Sequence, residues 1–134
     1  MATRRAMPIL QVRDVRASAA FYEKIGFQCH GFWGDPPGFA IVQRGDVTLG
    51  LFLPESGNVS PNDWWAAYIY VDDVNALHAE LAALDLDDIS EPRDQEWGCR
   101  DFDVVDPDGH RLAFGQDMTP NEHGPGQGPE RGRG

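Results

Sequence analysis

The sequence predicts an α+β fold built from two βαβββ modules, and three observations predict it. First, Val12, Asp14, Val15, Ala17 and Ala20 recur 59 positions later as Val71, Asp73, Val74, Ala76 and Ala79. Second, Phe39, Val42, Leu49 and Gly50 recur 63 positions later as Phe102, Val105, Leu112 and Ala113. Third, a polar, turn-rich stretch (Pro54–Asp63) with no apolar period stands between the two sets. Strand, capped helix and hairpin thus follow in the same order twice. Two such mixed sheets, each twisted, would curl and leave a concave groove between them. The expected organisation is one domain over residues 1–117. Module 1 covers about 6–53, a linker 54–63, and module 2 about 64–117.

Each element has a local reason. Met7–Val12 is a short apolar run and reads as a buried strand. Asp14 is placed to cap a helix, and Ala17, Ala20, Phe21 and Ile25 share one face of it. Gly26 supplies its stop. Phe27–Trp33 reads as a strand, followed by the loop Gly34-Asp35-Pro36-Pro37-Gly38. Phe39–Gln43 and Val47–Leu53 form a hairpin over Arg44-Gly45-Asp46. Trp64–Val71 opens the second module as a strand, and Asp73 caps a helix carrying Val74, Leu77, Leu81 and Leu84. Asp87–Asp94 predicts a weak strand. In the last hairpin Phe102, Val104 and Val105 are interleaved with charges, as in a half-buried strand. Asp106-Pro107-Asp108-Gly109 then turns it, because Pro107 presets φ and Gly109 accepts φ > 0. Eight of the seventeen residues Met118–Gly134 are Gly or Pro, which predicts a disordered tail.

The 134 residues carry 22 acidic and 11 basic side chains, a formal net charge of −11. An acidic surface repels nucleic acid and anionic membrane. It suits a cationic small ligand, although solubility alone also produces it. No apolar run is long enough to span a membrane. Met1–Arg5 is basic without an apolar run behind it, unlike a secretory signal. Cys29 and Cys99 form no CxxC pair, so reduced thiols in a cytoplasmic protein are expected.

The residues that carry chemistry are few. His30, His78, His110 and His123 have no common ligand spacing and read as surface or turn residues, with His78 on the polar side of its helix. Cys29 and His30 are strand neighbours and point to opposite faces. No nucleophile elbow, phosphate loop or paired-carboxylate motif occurs. Aromatics are more telling. Trp33, Phe39, Trp64, Trp65, Tyr68 and Trp97 lie near loop–strand junctions, where flat faces would suit a planar, partly cationic ligand.

Val12-Arg13-Asp14, Ser18, Phe21-Tyr22, Gly26-Phe27, Arg44-Gly45-Asp46, Asp73 with Leu77, and Asp106-Pro107-Asp108-Gly109 together resemble the vicinal oxygen chelate superfamily over about Pro8–Gln116. This is the group of glyoxalases, extradiol dioxygenases and bleomycin-resistance proteins. In its metal-dependent members four side chains from four strands hold a divalent ion. The resemblance carries those positions onto Met7, Gly50, Ala66 and Ala113, and none is a ligand for such an ion. No cofactor is therefore expected.

Within the superfamily the chain is most similar to the bleomycin-resistance proteins. The likeness lies in Gly34–Gly50, Ala67–Val71 and Trp97–Phe102. It implies metal-free sequestration of a cationic antibiotic without catalysis. Phe39, Tyr68 and Trp97 would line the groove and Asp35 would add charge, with Trp33, Trp65 and Arg100 completing the ligand-contact set. It also implies a homodimer with exchanged N-terminal strands. A metalloenzyme (lyase, dioxygenase or thiol transferase) and a binding module for another small metabolite are the alternatives.

Overall fold

The structure is a computed structural model that describes residues 1–119. Both helices begin where an aspartate can accept a backbone amide. Asp14 Oδ1 accepts from Ala17 and Asp73 Oδ1 from Ala76, each aspartate having extended backbone. This satisfies one of the N–H groups that a helix start leaves unpaired. Helix α1 spans Val15–Lys24 and α2 spans Val74–Ala82. Arg44 donates to the Ile25 carbonyl (2.8 Å) just past the end of α1, where the helix dipole favours a cation.

Strands β1 (Ile9–Gln11), β2 (Gln28–Trp33), β3 (Phe39–Arg44) and β4 (Val47–Phe52) make one mixed sheet in the order β1-β4-β3-β2. Strands β5 (Trp65–Tyr70), β6 (Arg93–Asp94), β7 (Cys99–Val105) and β8 (Arg111–Asp117) make the second, in the matching order β5-β8-β7-β6. The α+β class and the duplicated sheet are as the sequence predicts. The weak strand of the second module is shorter than Asp87–Asp94. It is the two-residue β6, with Ile89 bridging separately to Val104. The chain forms two compact units. One is Met1–Ala66 with Asp106–His110; the other is Ala67–Val105 with the strand that starts at Arg111. The expected disordered tail lies outside the described residues from Pro120 onward, as does His123.

In the first unit Leu10, Ala40, Val42, Leu49 and Leu51 are buried on the sheet face that carries α1, whose Val15, Ala19 and Tyr22 are buried too. In the second, Phe102, Val104, Leu112 and Phe114 are buried on the face that carries α2, with Phe102 and Phe114 stacked at 5.5 Å. His78 belongs to this core rather than to the polar side of α2. Its ring packs edge-on against Phe102 at 5.0 Å and donates to the Ser90 carbonyl.

The strand registers correct the internal correspondence. Val42 pairs with Leu49, and Val104 with Leu112. If Leu49 matches Leu112, then Val42 matches Val104 rather than Val105, and Phe39 matches Asp101 rather than Phe102. A one-residue slip exchanges the two faces of a strand. Phe102 is a core residue under α2, whereas Phe39 lies on the face without a helix. The cause is the turn: two residues separate β3 from β4, but five separate β7 from β8.

Those five residues, Asp106–His110, are not a solvated turn. Asp106 is buried and accepts from the amides of Asp108 and His110 (2.9 Å each) and from the Tyr22 hydroxyl (2.7 Å). Asp108 accepts from the backbone and guanidinium of Arg13, both at 3.0 Å. His110, expected at the surface or in a turn, sits in the turn but is buried, and donates to the Gln11 carbonyl at 2.6 Å. Burial raises the Asp106 carboxyl above its usual range, partly opposed by the Tyr22 and amide donors. Burial, then the Asp106 charge, push the Tyr22 phenol well above its ordinary value.

Candidate functional site

Each sheet has one face without a helix, and the two faces differ in chemistry. In the first unit that face carries a cross-strand aromatic row. Trp33 on β2 is in register with Phe39 on β3, which is in register with Phe52 on β4. The Trp33 and Phe39 rings are 6.0 Å apart. The next rung along the strands is Gly31, Ile41, Gly50 and Ile9. Gly50 makes room for this surface. A Cβ there would lie 2.6 Å from Ile9 Cδ1 and 3.1 Å from two Phe39 ring atoms. Trp33 is 50% exposed and Phe52 42%, so flat apolar area faces outward. Aromatic faces of this kind bind planar or cationic groups.

In the second unit the equivalent face carries charge. Asp101 and Asp103 on β7 are 0% and 2% exposed. Arg93 approaches both, at 3.5 and 3.0 Å, and Arg111 approaches Asp103 at 3.1 Å. Gln95 donates to Asp101 Oδ1 at 2.9 Å, and the Tyr68 hydroxyl donates to Asp101 Oδ2 at 2.8 Å. The strand expected to be half-buried is therefore buried on both faces. Its carboxylates tolerate this because two guanidinium groups and hydrogen-bond donors surround them. Tyr68 lies 5.2 Å from Tyr70 ring to ring, and Tyr70 is half exposed. Burial, then the bond to Asp101, raise the Tyr68 phenol far above its ordinary value. Burial also raises the Cys99 thiol, which argues against a reactive thiolate there.

The expected ligand-contact residues divide between these surfaces. Trp33 and Phe39 share the aromatic row. Asp35 is exposed in the loop that joins their strands. Trp65 is half-buried at the start of β5 against the exposed Trp64, ring centroids 5.4 Å apart. Tyr68 lies on the charged face. Trp97 is half-buried in the loop Gln95–Cys99, which is closed by Gln95 N–H to the Cys99 carbonyl. Arg100 is not with Tyr68. It alternates to the helix-bearing face, where it bonds Asn75 of α2 and Asp94. Phe52, Tyr70 and the Arg93–Asp101–Asp103–Arg111 group were not anticipated. A correspondence of 62 rather than 63 on β7 would have placed Asp101 opposite Phe39 and exposed the contrast.

The positions that the resemblance assigns to metal ligands do not fit a divalent ion. Gly50 has no donor and its space is taken by Ile9 and Phe39. Ala113 has none either, and the carboxylate beside it, Asp103, is already engaged by arginines. Ala66 offers no donor and Met7 only a thioether. Among the described residues no three His, Cys, Asp or Glu side chains converge on a common point. No helix among them is long and apolar enough to cross a membrane.

The profile of the Glyoxalase/Bleomycin resistance protein/Dioxygenase superfamily matches residues 4–114. The chain belongs to that superfamily. Among curated members it is 32% identical over 119 residues to a bleomycin resistance protein of Klebsiella pneumoniae, covering 84% of this chain and 91% of that one. Among solved members of the superfamily, a bleomycin-binding protein complexed with bleomycin superposes with a TM-score of 0.73 at 31% identity. It covers 85% of this chain and 98% of that one. The bleomycin-binding protein of Streptomyces verticillus, complexed with copper(II)-bleomycin, gives 0.68 at 30% identity, covering 85% and 96%.

Proposed function

We propose that this protein sequesters a bleomycin-like cationic antibiotic without altering it, as a homodimer. The observation that carries the reading is the outward-facing row Trp33–Phe39–Phe52, a stacking surface on a sheet whose family metal position is filled by hydrocarbon. The bleomycin-complexed relatives give the ligand class. The proposed contacts are Trp33, Phe39 and Trp65 with Asp35 on the first unit, and Tyr68 and Trp97 on the second. Ring stacking supplies most of the affinity, and the net charge of −11 favours approach of a cation. Ile9 on β1 is half exposed beside this row, as expected if a second copy covers it.

The test is a titration of tryptophan fluorescence with copper-free and copper-loaded bleomycin, followed by mass spectrometry of the recovered drug. Saturable quenching with the drug recovered intact is expected. Absence of binding at high micromolar drug, or conversion of the drug to a new product, refutes the reading. Light scattering should give twice the chain mass; a monomer at micromolar concentration refutes the dimer.

A further inference from the structure

We propose that Asp101 is a positioning residue for the ring of Tyr68. On this view a buried carboxylate fixes the angle at which the second unit presents an aromatic face, and Gly115 keeps open the space that ring needs. The inference rests on Tyr68 being a ligand contact, as proposed above.

The two oxygens of Asp101 have separate tasks. Oδ1 is held by Gln95 Nε2 at 2.9 Å and by Arg93 Nε at 3.5 Å. With Oδ1 held on a fully buried side chain, the direction of Oδ2 is set. Oδ2 then accepts the Tyr68 hydroxyl at 2.8 Å. A phenol tethered at its tip cannot swing about χ1 without breaking a charge-assisted bond in a water-poor setting. The ring is confined from below as well. Gly115 pairs with Asp101 across the β7–β8 ladder. A Cβ on Gly115 would lie 2.4 Å from the Tyr68 hydroxyl and 2.7 Å from two of its ring carbons. The hydroxyl end of the ring therefore passes over the bare backbone of Gly115, and its tip is anchored on Asp101.

The chemistry of this surface follows. Asp101 and Asp103 are matched by Arg93 and Arg111, so the buried carboxylates beside Tyr68 are already compensated. It would take a flat ring of the ligand rather than its cationic group. The first unit reaches a similar end by different means, since there Phe39 itself occupies the position that Asp101 takes here.

The experiment is a double-mutant cycle of Tyr68→Phe and Asp101→Asn, with copper-free bleomycin as probe and the χ1 rotamer averaging of residue 68 measured by NMR three-bond couplings without drug. Tyr68→Phe should weaken binding about five-fold and Asp101→Asn about ten-fold. The double variant should be no weaker than Asp101→Asn alone, because Asp101 acts through the hydroxyl. Residue 68 should hold a single χ1 rotamer in the wild type and average among rotamers in Tyr68→Phe. Multiplying effects in the double variant would overturn the proposal, as would equal χ1 averaging in Tyr68→Phe and the wild type. If Asp101→Asn does not fold, Tyr68→Phe and Gly115→Ala decide it, since Gly115→Ala displaces the ring without removing a polar group. Both should weaken the drug, and unchanged affinity in both overturns the proposal. A ring held in the wild type and freed in Tyr68→Phe, with no drug bound by either, upholds the anchor and refutes the antibiotic.

Discussion

Tyr22→Phe isolates a single buried hydrogen bond. The Tyr22 ring is wholly buried and meets Phe21 and Phe27 edge-on at 5.2 and 5.5 Å. Phenylalanine keeps those contacts and leaves at most a hydroxyl-sized gap. What is lost is the 2.7 Å donation to Asp106 Oδ2. A hydrogen bond to a charged group contributes about 1.5–3 kcal/mol, and a neutral one about 1. Asp106 keeps its two backbone donors, so a loss of about 2 kcal/mol is expected at pH 7, lowering Tm by roughly 6–10 °C. The pH dependence has a defined sign. In the folded protein Asp106 binds its proton at higher pH than in the unfolded chain, so its own contribution to stability falls as pH rises through that window. The Tyr22 donor lowers the Asp106 pKa and moderates the fall; removing it lets the fall continue to higher pH. The penalty of the substitution should therefore grow from about 1 kcal/mol near pH 3.5 to about 2 at pH 7. Urea denaturation across that range measures it. A loss below about 0.5 kcal/mol at pH 7, or one that does not rise with pH, would refute the reasoning.

Other substitutions test separate parts of the structure. Arg93→Leu leaves Asp101 and Asp103 with less compensation. It should cost about 2–3 kcal/mol at pH 7, which urea melts of the variant and the wild type would show. Asp14→Ala and Asp73→Ala each remove a helix cap and should cost about 1 kcal/mol in denaturant melts, independently of each other. Trp33→Ala should weaken bleomycin binding at least about ten-fold, whereas Asp35→Asn should weaken it by less than about five-fold, because a ring covered by the drug outweighs a rim charge. Fluorescence or calorimetric titrations rank the two. Raising the salt from about 20 to 300 mM should lower drug affinity several-fold by screening, and an unchanged binding constant would remove charge from the mechanism.

The duplicated order of elements was legible because it rests on local signals. Asp14 and Asp73 announce helix starts wherever they occur, and Gly26 and Gly109 take positive φ as a helix stop and a turn require. Apolar residues at period two or at spacings of three and four separated strands from helices. The acidity could also be read directly, whereas the positions Gly50, Ala66 and Ala113 came from the family resemblance. The aromatic candidates Trp33 and Phe39 were visible as residue types, but their adjacency across β2 and β3 was not.

Register is a property of strand pairs, so only the folded chain settled that Phe39 corresponds to Asp101 and that Arg100 faces α2. Alternating charge on β7 reads as solvent-facing because, taken alone, a carboxylate is costly to bury. Partners from β6, β8 and β5 change that outcome, since Arg93, Arg111 and Tyr68 are distant in sequence and close only in space. The same holds for Asp106, whose partner Tyr22 is 84 residues away. Sequence alone determined which segments form strands and helices, because those preferences are carried by neighbours along the chain. The tertiary structure decided which polar groups are buried, because burial depends on whom each group meets.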